Sequence, residues 1–153
     1  MKKFFIIILV AGLLVAGYWF ISPFFINKQV KESLPVLNSN SEEKVSEVTE
    51  IKKGIFTGFD KVHTGSGTVR VISIDGKNYI RFEDDFMVAN GPDLYVGLGE
   101  DGKYIKGSEL GTLKGNIGSQ NYELPDGIDI SNIKEVWIWC KAFAVPFSKA
   151  VLN

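Results

Sequence analysis

The chain has 153 residues, with 17 Lys plus Arg against 18 Asp plus Glu, one His and one Cys. That length suits one ordinary domain with some chain left over. A net charge of -1 gives no drive toward nucleic acid; one Cys excludes an internal disulfide; one His with one Cys excludes a structural zinc site of four His or Cys ligands.

Phe4 to Ile26 reads FFIIILVAGLLVAGYWFISPFFI, 23 residues without a charge. At about 1.5 Å per residue such a helix crosses a hydrocarbon core of roughly 30 Å. Lys2 and Lys3 precede it, and Tyr18, Trp19, Phe20, Phe24 and Phe25 crowd its far end, where aromatic rings suit the lipid–water boundary. A cleaved signal peptide would have its apolar region at Phe4 to Val15, but the aromatics after Val15-Ala16-Gly17 fit a cut poorly. Residues 1–26 therefore read as an uncleaved transmembrane signal anchor. The short basic N-tail places the C-terminal part outside: a single-pass cell-membrane protein with an extracytoplasmic domain.

Residues 27–53 have no aromatic residue, and Ser39, Ser41, Ser46, Glu42, Glu43, Glu47 and Glu50 dominate their second half. So little apolar surface cannot offset the cost of ordering a chain, which predicts a flexible polar linker. Val45, Val48 and Ile51 could instead form a short amphipathic helix.

Residues 54–153 form the domain, with ten Lys plus Arg against thirteen Asp plus Glu and fourteen of the sixteen Gly. Thr68 to Ile74 is rich in β-branched residues, Asp75-Gly76 supplies a tight hairpin, and Tyr79 to Phe82 returns. Leu94, Val96 and Leu98 alternate with Tyr95 and Gly97. Asp101-Gly102 marks a second hairpin, Gly107 to Gly118 reads as loop, and Lys134 to Phe143 is the strongest strand and the last. Short strands at this spacing predict an all-β fold, an antiparallel β-sandwich or small barrel of seven to nine strands.

In that last strand, alternation puts Glu135, Trp137, Trp139 and Lys141 on one face, reaching water. Val136, Ile138, Cys140 and Ala142 take the other, which is the better core face. Gly97 to Gly102 fits G-x-G-x-x-G, but strand-like residues follow where a nucleotide site needs a helix, so a hairpin is expected. His63 sits in a turn; with Cys140 or Met87 it could complete an iron or copper shell, though not a blue-copper centre, which needs two His. No nucleophile elbow supports hydrolysis, and Glu83-Asp84-Asp85 and Asp126/Asp129 lack calcium-loop spacing. No acid–base pair or nucleophile set marks an enzyme.

Three stretches then carry a resemblance: Asn90-Gly91-Pro92-Asp93-Leu94; Leu113-Lys114-Gly115-Asn116-Ile117-Gly118-Ser119-Gln120-Asn121-Tyr122; and Val136-Trp137-Ile138-Trp139-Cys140. With the opening around His63 to Val69, they resemble the DM-thirteen domain, described as an electron-transfer domain, over residues 54–152. The resemblance implies a setting like that of DOMON domains, hence a DOMON-like or jelly-roll-like sandwich. It implies a redox role through Cys140, as a bare thiol or holding a prosthetic group such as haem, with His63 matching a His of bacterial members. It also implies a membrane or extracytoplasmic redox partner. Sealed among aliphatic neighbours the thiol would be inert, so redox work requires a pocket beside it, expected under Gly107 to Gly118 with Gly91-Pro92. The alternative is a non-catalytic binding or adhesion module, with Trp137, Trp139, Tyr95 and Tyr104 as a platform for a glycan or protein.

Overall fold

The computed structural model describes residues 2–21, 26–35 and 47–153. Helix α1 spans Lys2–Ile21. Its apolar side chains, Phe4, Ile7, Leu14 and Tyr18 among them, stand exposed, and it joins neither core cluster. Among the described residues no helix is long and apolar enough to cross a membrane. The expected span runs on through residues 22–25, which lie outside the described residues, as does the 36–46 part of the expected linker.

Among the described residues eleven strands follow: β1 (Val48–Gly58), β2 (Gly65–Ser66), β3 (Thr68–Ile74), β4 (Lys77–Phe82), β5 (Met87–Val88), β6 (Leu94–Glu100), β7 (Lys103–Tyr104), β8 (Gly111–Thr112), β9 (Gln120–Glu123), β10 (Glu135–Cys140) and β11 (Val145–Leu152). The all-β expectation is met. Nine strands form one sheet in the order β7-β6-β10-β11-β1-β3-β4-β9, with β8 on β6; β2 and β5 make a separate ribbon. Every strand pairing is antiparallel. Hydrogen bonding thus does not divide the strands into the two facing sheets of a sandwich. Instead the sheet curls, because residues from both flanks share one core: Leu94 and Val96 of β6 cluster with Phe82 of β4 and Tyr122 of β9. Phe56, Phe82 and Phe86 meet edge-on or tilted at its centre, their centroids 4.5 to 5.1 Å apart.

Two elements differ from the sequence reading. Residues 27–53 are not wholly a tether: Val48 to Lys53 form the first half of β1, and residues 28–33 lie along the domain as a strap. The strap's apolar content is low, but its stabilisation comes from backbone and charge partners that composition does not show. Val30 N–H donates to the Ile117 carbonyl (2.9 Å) and Glu32 N–H to the Ser119 carbonyl (2.9 Å). The Glu32 carboxylate takes Lys114 Nζ at 2.8 and 3.0 Å and Asn121 N–H at 2.8 Å. Gly118 sits at φ +92, and a side chain there would strike the Val30 carbonyl.

Nor does the last strand run to Phe143. β10 ends at Cys140, Lys141 to Ala144 turn with Ala144 at φ 53, and β11 returns to join β10 to β1. A non-Gly residue carries the left-handed turn, and Pro146 sits at a register irregularity, so the usual hairpin signals are missing.

Strand directions define two ends. β1 ends, and β3, β6 and β11 begin, at what is here named the upper end; the turns Asp75-Gly76 and Asp101-Gly102 mark the lower one. Both Asp-Gly pairs have positive φ, as their hairpins require, and G-x-G-x-x-G is indeed β6 turning into β7.

Candidate functional site

The upper end carries the site. Cys140, the final residue of β10, pairs with Leu94 of β6 on one side and Val145 of β11 on the other. Its side chain is 0 % exposed and belongs to the main core with Val136 and Ile138, as alternation predicted. His63 lies in the turn after β1. Its Nδ1 meets Asp60 Oδ2 at 2.7 Å, and its ring stands edge-on to Phe147, 4.7 Å between centroids. Asp60 Oδ1 accepts from the Val62 and His63 backbone N–H groups, at 2.7 Å each. The His63 side chain and these N–H groups hold the Asp60 carboxyl down to about 2. His63 is therefore the clasp of its own turn. Among the described residues no hydrogen bond or ring contact joins it to Cys140, and no group of three His, Cys, Asp or Glu gathers to hold a metal.

A cleft of about 370 Å³ opens at this end; Gly91, Pro92 and the Thr112–Asn116 part of the Gly-rich stretch line it, as the sequence suggested, but Cys140 itself does not. Leu94, the ladder partner of Cys140, lines it. Asn90 to Asp93 form one wall and Thr112 to Asn116 the other, while Ile26 and Lys28 close it where the chain arrives. A second cleft, between Ser66 and Met87, adjoins it at Asn90 and Asn116.

Two buried amides frame these walls. Gln120, 0 % exposed, accepts from Lys114 N–H (3.2 Å), Gly115 N–H (3.3 Å) and the Tyr122 hydroxyl (2.7 Å), and donates to the Gly115 carbonyl (2.7 Å). Asn116 accepts from Lys28 N–H (2.7 Å) and donates to Asn27 (3.0 Å) and the Val88 carbonyl (3.3 Å). Without them the loop's backbone groups would be buried unpaired. Neither residue was singled out from the sequence, although both stand in the L-K-G-N-x-G-x-Q-x-Y stretch. The sequence offered only their polar amides within a Gly-rich stretch; their burial comes from the fold.

The aromatic platform is only partly a surface. Trp137 is 3 % exposed, beneath Phe59 (5.1 Å), Tyr104 (6.3 Å) and Lys149 Nζ (5.4 Å from the ring). Its indole N–H donates to Glu135 Oε2 at 2.8 Å, and Glu135, itself 5 % exposed, also takes Gly102 N–H at 3.0 Å and Lys149 at 3.5 Å. The charged face of β10 is thus covered at Glu135, not wet. Side chains at positions 97 and 99 would enter the Tyr104 ring and the Trp137 indole, which is why both are glycine. Trp139 and Tyr104 stack in parallel, 4.7 Å apart and 4° between planes, both half-buried; Lys141 Nζ lies 4.9 Å over Tyr95.

A family model described as electron transfer DM13 matches residues 58–152. The chain belongs to the electron transfer DM13 family. No curated protein and no solved structure matches it. The DM13 match starts at the end of β1, so the strap and most of β1 come from outside the matched region. Haem iron takes an axial His, Cys, Met or Tyr. The cleft beside Cys140 is lined by none of these, and the Cys140 sulfur is sealed beneath Leu94 and its neighbours. The residues present do not fit a haem there.

Proposed function

We propose that this DM13 domain serves electron transfer by holding a small organic redox carrier in the cleft between Asn90–Leu94 and Thr112–Asn116. On this reading the chain is tethered to the cell membrane by its apolar N-terminal run, with the domain outside, and a membrane or extracytoplasmic protein exchanges the electrons. The observation that carries the reading is the cleft itself. It lies at the converging ends of β6 and β10, is framed by buried amides, and has the volume of a small-ligand site. Family membership supplies the class of work, and the burial of Cys140 moves that work from the bare thiol to a guest.

The test is titration of the purified full chain with flavin and quinone probes, followed by fluorescence. Saturable binding of one class, weakened at least about tenfold by Thr112→Trp, which would fill the mouth, is the expected result. Absence of saturable binding to either class overturns it.

The Trp139–Tyr104 stack favours a second reading, a binding module for a glycan or protein at the outer face of β6 and β10. There Trp139→Ala would abolish binding and Thr112→Trp would leave it intact.

A further inference from the structure

The two ends of the sheet differ in what they offer a neighbour. At the lower end the turns read Asp75-Gly76 and Asp101-Gly102, and Asp126-Gly127 lies in the crossover from β9 to β10. The upper end carries the two most exposed large apolar side chains of residues 47–153, Val62 (73 % exposed) and Phe143 (63 %), each in a turn, whereas Val48 and Val151 at the lower end are less exposed and belong to strands. Large apolar side chains standing out on turns are suited to insertion among lipid headgroups. The chain enters at this same end. Asn27 accepts from the amides of Asn90 (2.8 Å) and Asn116 (3.0 Å), fixing the first described residues after α1 against the cleft rim. α1 itself is apolar, and Phe4, Ile7, Leu14 and Tyr18 stand exposed on it.

We propose that the upper end of the domain rests on a lipid bilayer, with Val62 and Phe143 dipping among the headgroups. The occupant is argued from continuity. Only four residues separate Ile21 from Ile26 in the sequence, and the chain is bonded to the domain from Lys28 onward. Whatever surface α1 enters must lie against the end where Ile26 emerges. Lys61 and Lys141 lie in the same turns as Val62 and Phe143 and suit anionic headgroups, but Asp60 shares the first of these turns, and Lys77 and Lys103 follow the Asp-Gly pairs of the other end, so charge does not separate the two ends. Asp84, Asp85 and Asp93 also lie at the upper end, so apolar insertion, not net charge, carries the contact. The orientation puts the cleft at the membrane surface, which selects a carrier that travels in or on the bilayer. This inference rests on the membrane tether of the proposed function and not on the identity of the guest.

The test uses the full chain, with Cys140→Ala as background, reconstituted with phosphatidylcholine and phosphatidylglycerol vesicles. Nitroxide labels are placed singly at Val62→Cys, Phe143→Cys, Lys103→Cys and Asp126→Cys, all exposed positions. Collision with oxygen, enriched in lipid, is compared with collision with a water-soluble nickel chelate. The expected result is a nickel collision rate at 62 and 143 at least about threefold below that at 103 and 126, with the oxygen rate raised. Chain that floats with the vesicles while all four labels collide equally with nickel overturns the orientation and leaves the tether standing. Chain that does not float overturns the tether and the orientation together; guest binding to the cleft is measured separately.

Discussion

Cys140 is the only thiol, so its chemistry can be read without ambiguity. Its sulfur is fully buried, and β10 is paired along its whole length to β6 and β11. Cys140 ends β10, but its side chain points into the main core, so a reagent reaches it only when its pairs with Leu94 and Val145 part and that core opens, which amounts to unfolding. For a domain of ordinary stability, about 5–15 kcal/mol, the open fraction is about 10⁻⁴ or less. An aromatic disulfide reagent should therefore modify the folded chain at least about 10³-fold more slowly than the chain in guanidinium, as followed by absorbance. Cys140→Ala, which removes one small core group, should cost about 1 kcal/mol, and Cys140→Ser, which buries a hydroxyl among aliphatic side chains, about 1–3 kcal/mol by denaturant unfolding. Stoichiometric modification of the native chain within seconds would refute the reasoning and return the bare thiol to the mechanism.

Three further outcomes follow from particular contacts. Glu135→Ala leaves the Trp137 indole, Gly102 N–H and Lys149 without their shared acceptor and should cost about 3 kcal/mol in denaturant unfolding, whereas Glu135→Gln, which keeps an acceptor, should cost about 1. Gly99→Ala puts a methyl into the Trp137 indole and should cost about 1–3 kcal/mol, with a changed near-ultraviolet dichroism. Burial raises the Glu32 carboxyl, but Lys114 and the Asn121 backbone N–H outweigh it and hold it below the usual range. A depressed carboxyl stabilises the fold above its unfolded value, about 4.3, and that contribution fades as pH falls through the lower folded value. Hydrogen exchange at Val30 and Glu32 should accordingly be faster in Glu32→Gln than in the parent at pH 7. The two should converge only once pH has fallen through the lowered folded value; equal protection at pH 7 would mean the strap is held by its backbone alone.

Local chemistry made much of this domain legible in the sequence. Asp75-Gly76 and Asp101-Gly102 announced their hairpins because few residue pairs take two successive positive φ values. Alternation in Val136 to Cys140 placed the thiol in the core, since a strand has only two faces. The Gly-rich stretch beside Gly91-Pro92 marked the cleft. Tertiary structure alone decided the rest, because it depends on partners far along the chain. Glu32 becomes structural only when Lys114 and Asn121 arrive beside it, and Val48 to Lys53 become strand only when β3 offers its edge. Trp137 is sealed by Phe59, Tyr104 and Lys149, none of them its sequence neighbour. Whether a buried Cys and a turn His would meet was a question of distance across the fold. Composition carries no such distances; the path of the backbone sets them.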